Sequence, residues 1–211
     1  NTRLEFQMTN PSFHPVVAGR NLAVGPGGEV PSLRTHMVGP GGQALPDRPL
    51  GPATRVKCSD CHNNDTGRNL GDGSIDPAGP HGSNYPYLLE RRYEMEFPAG
   101  IPGEMAPGVL YNFDTYSLCD KCHDVEGSIL RNESSPSHER HIVEEDTSCA
   151  TCHAPHGVVG GTPLGNSHLI DFDTRIVAPD SFGQLRFEDH GFRRGVCYLR
   201  CHGVEHGYEP Y

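Results

Sequence analysis

Four times in this chain a pair of cysteines closes with a histidine. The runs are Cys58-Ser59-Asp60-Cys61-His62, Cys119-Asp120-Lys121-Cys122-His123, Cys149-Ala150-Thr151-Cys152-His153 and, with one extra residue between its cysteines, Cys197-Tyr198-Leu199-Arg200-Cys201-His202. C-x-x-C-H is the attachment pattern of c-type haem: two thiols add to the two vinyl groups of one porphyrin, and the adjacent imidazole binds iron. The spacing has a steric reason, because positions i and i+3 share a face of a helical turn and i+4 lies beside them. Four covalent haem c groups, each with its iron, are therefore expected.

Disulfides or zinc are the bland alternatives for eight cysteines. Neither accounts for the histidines. His makes up 13 of 211 residues, and four of them falling by chance behind four Cys pairs has odds of about one in 100,000. The gaps between pairs are also longer and less regular than a zinc ribbon uses. Haem consumes every cysteine and leaves none for a disulfide.

Iron in haem has two axial positions, and the motif histidine fills one. An open sixth position binds and activates small molecules, whereas a filled one suits electron transfer. Nine histidines lie outside the motifs: His14, His36, His81, His138, His141, His156, His168, His190 and His206. Four are needed. His81 in Gly79-Pro80-His81-Gly82 and His156 in Ala154-Pro155-His156-Gly157 share a Pro-His-Gly repeat that fixes a loop with room for a porphyrin face. His153 and His156, three apart, are expected to serve different irons. His138 and His141 share a helix face, and the apolar flank of Ile142 and Val143 favours His141. His14 stands in Phe13-His14-Pro15-Val16, far upstream of any motif. The favoured sixth ligands are His14, His81, His141 and His156, with His206 the main reserve and His138 and His36 further replacements. Four Met residues are the second chemical choice, since bis-His ligation gives lower potentials than Met/His.

Composition says what such a chain can build around these groups. Only 35% is apolar, with 26 Gly, 19 Pro and no Trp. That supports little regular structure and a poor protein-only core. The expected fold is mostly irregular coil with short helices and a few short strands, a single multihaem domain over 1–211 organised around four stacked haems. Residues 1–55 read as an extended Gly/Pro-rich arm contacting a neighbouring subunit, with Gly-Pro-Gly-Gly at 25–28 and again at 39–42. Residues 63–84 read as loop, and 85–97 as a structured segment that period alone does not assign to helix or strand. Asp114 and Thr115 look like N-caps of a helix running into Cys119–His123. A second helix is expected over Ser137–Glu145, and a hairpin from Leu169–Val177 and Phe182–Glu188 around Pro179-Asp180.

The formal charge of −10 argues against nucleic acid as a partner. No apolar run reaches the ~20 residues that span a bilayer, so no transmembrane segment is expected. No signal-peptide pattern opens the chain, as expected of a processed form. Haem is joined to such motifs outside the cytoplasmic membrane in prokaryotes, so an extracellular or cell-surface location is expected, with the periplasm as alternative. The sequons Asn64-Asp65-Thr66 and Asn132-Glu133-Ser134 are weak signals.

Several of these segments together carry a family resemblance. Asn10-Pro11-Ser12-Phe13-His14-Pro15-Val16, Gly79-Pro80-His81-Gly82-Ser83, His141 ahead of the third motif with its Ala154-Pro155-His156-Gly157 tail, and the terminal C-x-x-x-C-H-Gly resemble the tetrahaem extracellular cytochromes that polymerise into filaments in metal-reducing bacteria (OmcE-type nanowires). The resemblance covers about residues 10 to 206. It implies bis-His haems in a continuous chain, head-to-tail helical polymers of identical subunits, and electron exchange with other redox proteins or extracellular acceptors. It also implies that one distal ligand can come from the neighbouring subunit, for which His14 is the natural candidate. The expected activity is electron conduction, not enzyme catalysis. A soluble periplasmic shuttle is the first alternative, and a multihaem oxyanion reductase, which needs one open iron, is a distant one. Because haems supply most of the core, folding is expected to couple to their attachment: protein made without haem ligation will lack protease-resistant structure, and a cooperative melt of that protein would refute the coupling.

Overall fold

The computed structural model describes residues 1–17, 30–51, 53–65, 79–95, 100–104 and 108–207. The Gly-Pro-Gly-Gly stretch at 25–28, most of the 63–84 loop, the end of the 85–97 segment and Thr66 lie outside them. The described chain is mostly coil, with a few short helices and two small antiparallel sheets. Helix α1 spans Thr2–Glu5, α2 Ser117–Asp120 and α3 Cys149–Cys152. Strands β1 (His36–Val38) and β2 (Ala44–Pro49) form one hairpin; β3 (Arg186–Asp189), β4 (Gly195–Cys201) and β5 (Val204–His206) form a meander in that order. Among the described residues no helix is long and apolar enough to cross a membrane.

The second Gly-Pro-Gly-Gly, at 39–42, is the turn that joins β1 to β2. Gly42 sits at φ +77°, a conformation costly for residues with a Cβ, and Gly39 N donates to Gln43 O to close the loop. The described part of the arm lies on its own chain. Phe13, Met37 and Val38 are buried, Val38 N donates to Lys121 O, Arg34 N donates to Cys122 O, and Arg34 pairs with Asp120 and Asp124.

Several local expectations differ from what forms. The described residues 85–95 hold one 3-10 turn, Pro86–Leu88, and no longer element. Helix α2 does run into the second motif, but Tyr116 occupies its N-cap without a side-chain bond, while the Thr115 hydroxyl accepts from Asn112 N. Within Ser137–Glu145 the regular part is a π-helical turn, Arg140–Glu144. Residues 169–177 form no strand, because Asp173 O takes the amides of Ile176 and Val177 and bends the chain. The Asp180 carboxylate accepts from Phe182 N and Gln184 N, holding a local turn instead of a hairpin tip. Strand β3 pairs forward with β4.

The two apolar clusters gather at motif cysteines. Leu89, Tyr93, Tyr116 and Ile142 form one, with Cys61, Cys119 and Cys149 packed against it; Ile176, Val177, Leu199 and Cys201 form the other, with Cys197 alongside. A buried ionic network ties the first two motifs together. Lys121 Nζ donates to both Glu90 carboxylate oxygens at 2.9 Å and to Asp60 O at 2.8 Å, while Asn63 Nδ2 donates to Glu90 and Arg48 pairs with Asp60. Removing one partner of such a pair leaves the other charge buried and uncompensated, at a cost of ~3–5 kcal/mol. Lys121→Met should therefore lower stability by about that amount in denaturant titrations. Lys121→Met with Glu90→Gln should recover part of the loss.

A four-site imidazole array

Each of the first three motifs makes one helical turn that presents its histidine. His62 N donates to Cys58 O, His123 N to Cys119 O and His153 N to Cys149 O, at 2.8 to 2.9 Å. A strap from elsewhere in the chain then crosses each histidine in the same way. Leu89, Leu33 and Ile170 bridge antiparallel to His62, His123 and His153. The next strap residue donates its amide to the second motif cysteine (Glu90 to Cys61 O, Arg34 to Cys122 O, Asp171 to Cys152 O). The residue after each histidine donates back to the strap (Asn63 to Leu88 O, Asp124 to Ser32 O, Ala154 to Leu169 O). In the first and third straps two successive residues take positive φ, Tyr87-Leu88 and His168-Leu169. That turn aims the Tyr87 and His168 carbonyls at Nδ1 of His62 and His153, both at 2.8 Å.

The fourth motif is built differently. Cys197 to Cys201 lie on β4, and His202-Gly203 form the two-residue loop to β5, with φ +41° and +77° as a tight hairpin requires. Cys197 and Cys201 share a strand face. At ~3.3 Å per residue their Cα atoms stand roughly 13 Å apart, against about 5 Å across a helical turn.

Every motif histidine faces an imidazole from outside the motifs. Ring centroids are 6.1 Å apart for His62 and His156, 6.3 Å for His123 and His14, 6.3 Å for His153 and His138, and 6.5 Å for His202 and His141. His206 joins the last pair, 5.4 Å from His202 and 6.0 Å from His141. The four sites follow one another in motif order. His14 N donates to His156 O, His123 is an electrostatic neighbour of His153, and His138 of His141.

Ordinary aromatic contacts also span ~4.5–7 Å, so distance alone does not mark a ligand pair. Orientation does. Nδ1 is engaged in all eight paired rings. His62 and His153 bond the strap carbonyls, His14 bonds Pro155 O, His123 bonds Ser32 Oγ at 3.1 Å, His138 bonds Ser134 Oγ at 3.3 Å, and His141 bonds Ser137 O at 2.8 Å. His156 Nδ1 lies 2.9 Å from Glu5 Oε2 and His202 Nδ1 lies 3.4 Å from Glu145 Oε2. This is how metal-bound imidazoles are held, leaving Nε2 as the donor. His202 Nε2 is buried with no hydrogen-bond partner. By contrast His168 and His190 commit Nε2 to Asp189 and Glu188.

Electrostatics favour the neutral, ligating form. Burial depresses His123, His138 and His206 to about 4, and neighbouring histidines push in the same direction. Burial also lowers His14, His153 and His202. None of the eight cysteines is in a disulfide, and burial lifts the thiols of Cys61 to about 11 and Cys122 to about 12. Among the described residues the one cluster able to hold a bare metal ion is His141, His202 and His206; no cluster of thiols forms a zinc site.

These residues fit haem with two imidazole ligands. Two metal–imidazole bonds of ~2.0–2.1 Å, with ~1.1 Å from each nitrogen to its ring centre, separate the centroids by about 6.3 Å. The first three sites fit by thiol spacing as well. The fourth fits by its imidazoles, and its straight strand holds the two sulfurs farther apart than one porphyrin bridges.

Of the favoured sixth ligands, His14, His141 and His156 each stand opposite a motif histidine. His81 is exposed, and its ring meets no imidazole among the described residues. His138 stands opposite His153 instead. His138 and His141, expected to share a helix face with His141 as the ligand, each stand against a different motif histidine, His153 and His202. His36 bonds Thr35 Oγ1, and its ring meets no motif histidine among the described residues. The recurring Tyr87-Leu88-Leu89-Glu90 and His168-Leu169-Ile170-Asp171 is the sequence signal that would have found two of the straps. Comparison with family models, curated proteins and solved structures gave no match. In the haem-loaded protein, His138→Ala should turn one iron high-spin and reactive to carbon monoxide, whereas His81→Ala should leave the carbon monoxide difference spectrum unchanged.

Proposed function

We propose that the chain is a tetrahaem c-type cytochrome that conducts electrons and makes no bonds in a substrate. The observation that carries this reading is the pairing of each motif imidazole with one imidazole from outside the motifs, Nδ1 tied and Nε2 presented. Cys58 with Cys61, Cys119 with Cys122 and Cys149 with Cys152 would attach three of the groups, and Cys197 with Cys201 would attach the fourth once their strand is drawn into a turn. His62, His123, His153 and His202 would bind from one side, and His156, His14, His138 and His141 from the other. Bound haem supplies a one-electron ferric/ferrous couple.

The chain's own residues then set the conditions for that couple. With a metal held between them, the opposed imidazoles would both ligate it and would leave no open position for a small molecule. The Glu5, Glu145 and carbonyl partners of Nδ1 fix ring orientation and raise ligand basicity, which favours the ferric state. Contiguity from the first site to the fourth gives a single file. An exported protein that meets redox partners or an extracellular acceptor is the setting this file suits.

Two assemblies share this chemistry. In a filament, copies of the chain meet head to tail through a heterologous contact that need not close; the family resemblance supports this. In an individual carrier, all eight ligands come from one chain. The placement of His14 against His123 of its own chain favours this second form over a His14 bond to a neighbour. Intact mass and the pyridine haemochrome spectrum should give four haems per chain, with every iron low-spin and inert to carbon monoxide. Fewer haems, or a reactive iron in the wild type, would sink the reading. Electron micrographs and size-exclusion chromatography separate filament from carrier.

A further inference from the structure

Three imidazoles, not two, converge where the fourth motif ends. The ligand atoms of His141, His202 and His206 all lie within 4.8 Å of one another. This is also the motif whose straight strand holds its thiols too far apart for one porphyrin. In that form the site suits a smaller guest.

The ring separations are 6.5 Å for His141–His202, 5.4 Å for His202–His206 and 6.0 Å for His141–His206. Three centroids so spaced surround one point about 3.5 Å from each. An ion bound to imidazole at ~2.0–2.1 Å, with ~1.1 Å from nitrogen to ring centre, stands about 3.2 Å from the centroid. Each ring needs to close by only about 0.3 Å, with a rotation that draws the nitrogens to the ~3.5 Å they span around one ion. His206 stands beside the midpoint of the other two rings, so the centre is trigonal and has no room for a flat macrocycle.

The rings are held for such a centre. His141 Nδ1 bonds Ser137 O at 2.8 Å and His202 Nδ1 lies 3.4 Å from Glu145 Oε2, which leaves both Nε2 atoms for a metal. His202 Nε2 is buried and has no hydrogen-bond partner. His206 ends β5 and pairs with Leu199 of β4, which fixes its distance from His202. A cavity of about 440 Å³ lies between the three rings, lined also by Ser137, Arg140, Glu145 and Val204 and by no thiol. Imidazole suits zinc, copper and nickel, whereas calcium and magnesium take oxygen.

We propose that, while Cys197–Cys201 is a strand, His141, His202 and His206 form a three-imidazole site for one divalent transition ion, with water in its remaining position. Haem attachment at this motif and ion binding exclude each other, because both take His141 and His202. The ion site stands on the strand geometry and does not rest on the haem reading.

The test uses the full chain with Cys197→Ser and Cys201→Ser, which leaves the first three motifs intact, and zinc as the probe. After equilibrium dialysis, elemental analysis should give one zinc for three irons. Adding His206→Ala should remove that zinc, and adding Glu145→Gln should weaken its binding about 10–100-fold. Adding His190→Ala should change nothing. Zinc retained without His206, zinc lost equally with His190→Ala, or His206-dependent zinc on a wild type carrying four haems would overturn the proposal. Should the serine variant fail to accumulate, Cys197→Ala with Cys201→Val keeps that strand face apolar and gives the same readout. Haem is counted separately by the pyridine haemochrome spectrum. A variant with fewer than three haems that still binds one His206-dependent zinc strikes the haem reading and leaves the ion site standing; three haems and no zinc does the reverse.

Discussion

Everything in this fold serves one asymmetry of the imidazole ring. A neutral histidine has one donor and one acceptor nitrogen. Giving Nδ1 a carbonyl, hydroxyl or carboxylate partner leaves Nε2 as a directed lone pair. The partners come from all along the chain: Glu5, Ser32, Tyr87, Ser134, Ser137, Glu145, Pro155 and His168. Each coil segment that supplies such a partner is thereby fixed by what it holds. The same asymmetry opposes folding of the bare polypeptide. A buried acceptor with no partner costs ~1–3 kcal/mol, and His202 Nε2 is such an acceptor. Protonation would relieve it at the cost of a buried charge among other histidines, and burial pushes the opposite way, holding His123 and His138 near 4. A metal between the rings answers both demands at once.

Rigidity between neighbouring sites has a second source. Asp60 and Lys121 each stand immediately before the second cysteine of their motif, and Glu90 lies on the first strap. Their bonds lock the first motif, its strap and the second motif into one body. The backbone bridge between Phe13 and Gly157 then fixes His14 relative to His156, which serve adjacent sites. Relative position along the file is set by hydrogen-bonded and ionic links instead of by a large apolar core.

How much of this was legible in the sequence depends on range. The motif turns follow from local spacing, and three of them form as that spacing dictates. His14, His141 and His156 were singled out by immediate context and do stand opposite motif histidines. The Pro-His-Gly repeat pointed equally to His81, because a repeat records local loop geometry and not what lies across from it; among the described residues the His156 ring meets a motif histidine and the His81 ring does not. His138 was set aside because Ile142 and Val143 give His141 an apolar flank, which says nothing of the ring that lies across from either histidine. The Lys121–Glu90 pair spans 31 residues and two loops, and nothing in either neighbourhood announces it. The expected hairpin failed because alternation over Leu169–Val177 competes with Asp173, whose carbonyl captures two amides.

The extra residue in the fourth motif has a physical meaning. In a helical turn both i+3 and i+4 lie on the face of i. In a strand, with its period of two, only i+4 does; i+3 points the opposite way. A spacing of three therefore commits a cysteine pair to a turn, as at Cys58, Cys119 and Cys149. A spacing of four keeps both thiols on one face in either conformation. Cys197 and Cys201 share their strand face with Leu199 and pack on Ile176 and Val177, so the pair is aligned before it is drawn together. Shortening Cys197–Cys201 from a strand to a turn would halve the thiol separation without reversing either side chain. It would also pull on the His202-Gly203 loop and, through it, on β5. The motif that departs from the regular spacing is thus the one built on a strand, where a spacing of four is what keeps both thiols on one face.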